Sequence, residues 1–202
     1  MQVLGVDLAG SEKRATGVAY KEGGKVKCAI LYQDSEIIQL AHSFTHVFID
    51  APLSLPIGGR KNLNEKNGIH LRECDYLLRK MGIRLFPPTL GPMRMLTHRG
   101  IKLKIFLEGL GKEVYEVFPG AFYDVMGVGR KDRKAILMLY RNMGLKLQKR
   151  TYTQDELDGV ACLLLGYMFL EGKGVLLKGI DGGIVVPKRL LEDSGKPNCN
   201  YQ

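Results

Sequence analysis

The run Val3-Leu4-Gly5-Val6-Asp7-Leu8-Ala9-Gly10-Ser11 sets one carboxylate inside an apolar strand and follows it with a small-residue turn. A second apolar run ends the same way, at Val47-Phe48-Ile49-Asp50. An aspartate among such residues is costly to bury without a partner, and a metal ion is a common one. Two such strands in one small domain point to a sheet that brings the two acids together.

The order of the other elements follows from periodicity and breakers. Residues 2–8 are apolar apart from Gln2 and Asp7, as in a strand buried on both faces. Residues 14–20 and 25–32 are strand-like, and Glu22-Gly23-Gly24 between them predicts a tight hairpin. The chain therefore begins with three antiparallel strands. Ile37, Ile38, Leu40 and Ala41 have helical spacing within 34–43, with Asp34 or Ser35 as the cap. The strand 47–50 breaks at Pro52 and Pro56, and a Gly- and Asn-rich loop runs over 57–68. Helices are expected over about 69–80 and 92–110, a strand over 114–118 halted by Pro119, and helices over 120–126 and 131–143. Thr153-Gln154-Asp155-Glu156 fits a capping box that opens a last helix, over 153–170. A hairpin over 174–186 turns at Asp181-Gly182-Gly183. Without repeats or low-complexity linkers, residues 1–190 read as one domain carrying a mostly helical insertion over about 57–112. Residues 191–202 read as a loosely ordered tail.

Several classes are excluded on composition. The longest apolar stretch, Gly159 to Leu170, has 12 residues, too few to span a membrane. No basic segment followed by an apolar one marks a secretory signal. Four cysteines (Cys28, Cys74, Cys162 and Cys199) lack CxxC spacing and read as reduced packing residues of a cytoplasmic protein. The formal net charge of +9 is clustered: 79–104 holds seven Lys or Arg and no acid, and 130–150 holds eight against Asp132 alone. Such clusters are the footprint of a protein that meets phosphates, with a Lys-rich soluble surface as the plainer alternative. Arg94, Arg99, Arg130, Lys131 and Lys134 are the candidate nucleic-acid contacts. His98, between Arg94 and Arg99, reads as a phosphate contact or a solvated residue.

This order of elements resembles the ribonuclease H-like α/β arrangement: three antiparallel strands followed by parallel ones, five in a mixed sheet flanked by helices. In that arrangement acids come from the first strand, from the ends of two later strands and from the last helix. Asp7, Asp50, Glu116 and Asp158 fall at those places. Two divalent ions about 4 Å apart activate a water and stabilise the leaving oxygen of a phosphodiester. Mg²⁺ and Mn²⁺ prefer carboxylate and water oxygens, and crowded carboxylates need such ions to offset their repulsion. Plainer readings exist for each acid. Asp7 precedes a turn, Asp50 ends a strand before Ala51-Pro52, and Glu116 is a solvent-facing alternate if its strand lies at an edge. Asp155 and Glu156 suit a helix start on dipole grounds, which explains Asp158 less well.

The sequence is also similar to a family of uncharacterised predicted nucleases of this fold. The matching pieces are Gly5-Val6-Asp7-Leu8-Ala9, Ile49-Asp50-Ala51-Pro52, Arg72-Glu73-Cys74-Asp75, Tyr115-Glu116-Val117-Phe118-Pro119, Asp155-Glu156-Leu157-Asp158-Gly159-Val160-Ala161 and Gly183-Ile184-Val185-Val186-Pro187. The resemblance implies an acidic Mg²⁺ or Mn²⁺ site made by Asp7, Asp50, Glu116 and Asp158. It also draws attention to Arg72 and Asp75, which by spacing alone form an i,i+3 ion pair on a helix.

Three functions are carried forward. In a metal-dependent nuclease, Asp7 and Asp158 hold the ions, Glu116 bridges them or orients water, and Asp50 completes the set. A non-catalytic nucleic-acid binder on the same scaffold predicts salt-sensitive binding without turnover. An actin-like phosphotransferase shares the strand-and-turn opening but needs a second nucleotide-binding half, which this chain lacks. Ser- or Cys-nucleophile chemistry finds no setting around His42, His46, His70 or His98, and Ser54 has no nucleophile elbow. The assembly is open, a homodimer being one option.

Overall fold

Strands β1 (Val3–Asp7) and β4 (His46–Asp50) run parallel near the middle of a seven-stranded mixed sheet. The structure is a computed structural model and describes residues 2–58 and 68–193. β1 pairs antiparallel with β2 (Thr16–Glu22), which turns back into β3 (Lys25–Leu31). The turn is as the sequence predicts: Gly23 and Gly24 take φ of 55° and 74°, which a two-residue hairpin of type I′ requires and side chains resist. β5 (Glu113–Val117) lies parallel to β4, and the hairpin β6 (Gly174–Gly179) and β7 (Gly182–Pro187) completes the order β3-β2-β1-β4-β5-β7-β6.

The expected five strands are thus seven. The C-terminal hairpin joins the main sheet because β7 pairs parallel with β5, through Glu116–Ile184 and Val117–Val185. That pairing buries Ile184, Val185 and Val186 and covers a β5 edge that would otherwise present an open ladder.

Helices cover both faces. α6 (Gln154–Leu170) lies along one face with α4 (Pro119–Val125) and α5 (Arg133–Asn142), over Val3, Phe48, Val117 and Val185. On the other face α1 (Asp34–Ala41) and α3 (Met93–Gly109) pack against Leu4, Val6, Val47, Ile49 and Val114. α2 (Glu73–Lys80) buries Cys74 and Leu78 against Leu177, Ile184 and Val186 of the added hairpin. The alternation is strict: odd residues of β1 face α6 and even ones face α3, as a period of two dictates.

Some boundaries differ from expectation. α1 is capped from Gln33 rather than Asp34 or Ser35, since the Glu36 carboxylate accepts the N–H groups of Tyr32 and Gln33 at 2.8 Å each. α2 starts four residues later than predicted: Arg72 is extended, its N–H donating to Asp75 Oδ2 at 2.8 Å. A short α7 (Arg189–Asp193) runs past residue 190. Residues 59–67 of the expected insertion and 194–202 of the expected tail, with Cys199, lie outside the described residues. Among the described residues Cys28, Cys74 and Cys162 are free thiols, and no helix is long and apolar enough to cross a membrane.

Candidate active site

Asp7 and Asp50 end their strands at the same level of the sheet, as direct register partners. Both lie on the α6 face and both remain partly exposed. α6 comes down over them because the strands below it carry no side chains at the crossing. A Cβ on Gly5 would collide with the backbone at Leu163, and one on Gly17 with the Asp155 carbonyl. With those glycines the first two turns of α6 reach the strand ends, and they bring Asp155 and Asp158, three apart on one helix face. The capping box forms as predicted: Thr153 Oγ accepts from the Glu156 N–H at 3.2 Å, and the Glu156 carboxylate accepts from the Thr153 N–H at 3.0 Å. Glu156 is further tied to Arg150 at 2.6 Å, so this acid serves the helix end.

Asp50 and Asp158 both act on Asp7, and Asp158 acts on Asp50. Burial pushes the Asp7 carboxyl well above the usual range, and Asp50, Asp158 and Asp155 push it further. Asp50 is raised likewise, by burial first and then by Asp158 and Glu116, with Arg130 pulling against them. Asp158 is pushed up to about 6 by burial, opposed by hydrogen bonds from Tyr123 and Gln154. Those two bonds fix one oxygen: Tyr123 Oη donates to Asp158 Oδ1 at 2.6 Å and Gln154 Nε2 donates to it at 2.9 Å. Tyr123 Oη also lies 2.9 Å from Tyr140 Oη, which donates to the Leu157 carbonyl at 2.7 Å. Neither Tyr123 nor Asp155 was singled out by sequence reasoning as a site residue. For Asp155 the signal was present, as an acid three residues before Asp158. For Tyr123 there was none.

Glu116 is a correction. It is the register partner of Ile49, not of Asp50, so its side chain leaves the sheet on the face opposite Asp7 and Asp50. There it is bound rather than open. Arg72 clamps both of its oxygens, Nη1 to Oε2 and Nη2 to Oε1 at 2.6 Å each, and the Leu53 N–H donates to Oε2 at 2.8 Å. Burial raises the Glu116 carboxyl, while the Arg72 fork and the Leu53 N–H oppose it. Arg72 also forms the expected i,i+3 pair with Asp75, at 2.9 Å, and donates to Ser54 Oγ at 3.0 Å. Arg72 and Asp75 are each only 1% exposed. One guanidinium between two buried carboxylates holds α2 to β5 and to the chain after β4, and it engages both Glu116 oxygens on the face away from Asp7.

Arg99 is a second correction. It is 6% exposed and its donors are spent inside the fold, on Asp34 and on the carbonyls of Ala9 and Tyr32, at 2.7–2.8 Å. It fastens the turn after β1 to the start of α1 and to α3, and it does not face a nucleic acid. Lys131 and Lys134 are exposed at the start of α5, and Arg94 is half-buried in the first turn of α3. Arg130 pairs with Asp124, its Nε donating at 2.9 Å, and donates through Nη1 to the Arg84 carbonyl at 3.0 Å.

A cleft of about 930 Å³ opens beside Asp50, between the sheet end and the connection from α2 to α3. Asp50, Pro52 and Glu116 line its inner part, and Arg79, Arg84 and Arg130 line it with Phe86, Pro88 and Phe118. Among the described residues no group of three or more His, Cys, Asp or Glu side chains is arranged to hold a metal ion by itself. The donor set at the strand ends still suits Mg²⁺ or Mn²⁺. It offers two register-paired carboxylates with a third from α6, hard oxygens that mutual repulsion leaves in need of a cation, and Mg²⁺ characteristically uses one or two carboxylates with waters and substrate phosphates.

No protein-family model and no curated protein matches the chain. Among solved structures the chain is similar to that of Thermus thermophilus RuvC, at 13% identity and a TM-score of 0.44, over 91% of this chain and 99% of that one. A likeness at that level carries no weight for function.

Proposed function

We propose that this chain has a ribonuclease H-like core and is a metal-dependent hydrolase of nucleic-acid phosphodiester bonds. One observation carries the reading. Asp7 and Asp50 are paired at the ends of parallel central strands, beneath a helix start that delivers Asp158, and all three carboxyls are raised, Asp7 by burial and then by Asp50 and Asp158, Asp50 by burial and then by Asp158. Three partly exposed acids of one sign, packed to repel, suit a site kept for a cation better than a structural cluster.

In this reading Asp7 and Asp50 would hold Mg²⁺ or Mn²⁺, with Asp158 as the third oxygen donor. Such ions supply polarisation of a phosphoryl oxygen and a water that is nucleophilic near neutral pH. The chain's own residues do the rest. Tyr123 and Gln154 occupy Asp158 Oδ1 and so aim its other oxygen. Arg130, whose charge already acts on Asp50, offers a cation to a phosphate entering from the cleft. Glu116 takes no part in the ion site, and its role with Arg72 is to brace the strand that borders it.

The test is cleavage of structured DNA and RNA with Mg²⁺ or Mn²⁺ by the parent and by Asp7→Asn. The expected result is turnover by the parent and none by the variant. Equal activity in the two, or no turnover on any substrate, overturns the proposal.

A further inference from the structure

The cleft beside Asp50 has a composition that phosphodiester hydrolysis alone does not demand. Its outer wall is the 81–92 connection, which presents Leu85, Phe86 and Pro88, and Phe118 stands across from them. Phe86 is 71% exposed although its neighbour Pro88 is buried. The wall is held in place by two arginines: Arg79 Nη2 donates to the Leu85 carbonyl at 3.3 Å, and Arg130 Nη1 to the Arg84 carbonyl at 3.0 Å. Arg130 in turn lies over the Phe118 ring, 5.2 Å from its centroid. Apolar surface and guanidinium groups therefore share one concave site, with an acid of the proposed cation centre at its inner end.

We infer that this cleft takes one unpaired nucleotide of the substrate strand, its base against Phe86 and its phosphate toward Arg130 and Asp50. The inference rests on the hydrolase reading above. Size argues for it, since about 930 Å³ is the scale of a pocket for a single small ligand. Chemistry argues for it too. A base has two apolar π-faces that stack on an aromatic side chain whatever its sequence, and its phosphate carries the charge that Arg79, Arg84 and Arg130 complement. A duplex keeps its base faces covered by stacking, so it would meet only the charged rim and leave Phe86 in water. An uncharged apolar ligand would make no use of the guanidinium groups that line the same wall.

The experiment follows the fluorescence anisotropy of a labelled single-stranded oligonucleotide of about 12 nucleotides, its blunt duplex and an abasic strand of equal length, with metal chelated. The parent is expected to bind the single strand about tenfold more tightly than the duplex or the abasic strand, and Phe86→Ala to lose about that factor on the single strand alone. Phe86→Leu, which keeps apolar bulk without a ring, is expected to lose most of it as well. The fold of either variant, checked by circular dichroism, is expected to be intact because the side chain is exposed. Duplex binding as tight as single-strand binding, unchanged affinity in Phe86→Ala, or no saturable binding overturns the inference. Asp7-dependent cleavage without the single-strand preference removes the nucleotide pocket and keeps the hydrolase. Base-dependent binding without cleavage removes the hydrolase and keeps the pocket.

Discussion

Asp7 and Asp50 face each other across the parallel β1–β4 ladder, each the last residue of its strand and each on the face that α6 covers. Like charges at paired positions of a sheet are destabilising, and burial adds to the cost. On the proposed reading, an ion held by the pair would offset that cost.

That relation makes Asp50→Asn a gain for the metal-free protein and a loss for the reaction. Scanning fluorimetry at pH 7.5 in chelator is expected to show the Tm raised by roughly 2–4 °C, the scale of about 1 kcal/mol in a chain of this size. Cleavage is expected to fall more than about 100-fold. A lower Tm would mean that Asp50 is held by a favourable partner instead.

The metal-free protein is expected to become more stable as pH is lowered from 7.5 towards 5. Asp158 has its carboxyl raised from 3.8 to about 6, and Asp7 and Asp50 are raised as well. Between those values the native chain holds protons that the unfolded chain has released, so stability falls as pH rises through the window. Mn²⁺ affinity, read by calorimetry, should run the opposite way and weaken below pH about 6, because ion and proton compete for the same oxygens. A metal-free Tm that falls steadily on acidification would contradict the assignment.

Glu116→Gln separates bracing from ion binding. Breaking one side of a buried ion pair costs about 3–5 kcal/mol, and urea unfolding of the variant is expected to show a loss on that scale. Arg72→Lys, which keeps the charge but loses the two-pronged contact with Glu116, should be milder. In both variants the Mn²⁺ affinity of the folded fraction is expected to match the parent. Its loss would return Glu116 to the metal site.

Tyr123→Phe removes the hydroxyl that donates to Asp158 and keeps the ring in its place under α6. The rate is expected to fall about tenfold, as for other groups that orient a metal-binding carboxylate. Since that hydrogen bond lowers the Asp158 carboxyl, the acid limb of the pH–rate profile should also move to higher pH. A purely structural role for Tyr123 would leave the acid limb where it is.

Gly17→Ala tests how α6 reaches the acids. The added methyl would meet the Asp155 carbonyl, and the shift it forces is expected to cost about 1–3 kcal/mol and to lower activity with it. Gly109→Ala, near the end of α3 with open space around it, is the control and should be neutral or slightly stabilising.

Much of the frame was legible because local rules set it. The Gly23-Gly24 hairpin, the Thr153 capping box, and the strands ending at Asp7 and Asp50 are written in short-range patterns, and those patterns form as read. Helix ends slipped where a side chain outcompeted propensity, as when Asp75 captured the Arg72 N–H and delayed α2. That the hairpin supplies a sixth and a seventh strand of the sheet was not legible, because whether a C-terminal hairpin stands alone or joins a sheet depends on the edge it meets, here β5.

The sequence by itself determined that two apolar strands each end in an aspartate and that a capped helix late in the chain carries two more. It could not say which charged residues share a space. Strand alternation turned Glu116 to the far face, where Arg72 of a distant helix start holds it, and burial drew Arg99 inward to bind the Ala9 and Tyr32 carbonyls and the Asp34 carboxylate. Glycines at 5 and 17 let α6 descend, and with it came Asp155 and Asp158 to the strand ends. Charge is read residue by residue, but its partner is chosen by packing, which joins segments far apart in the chain.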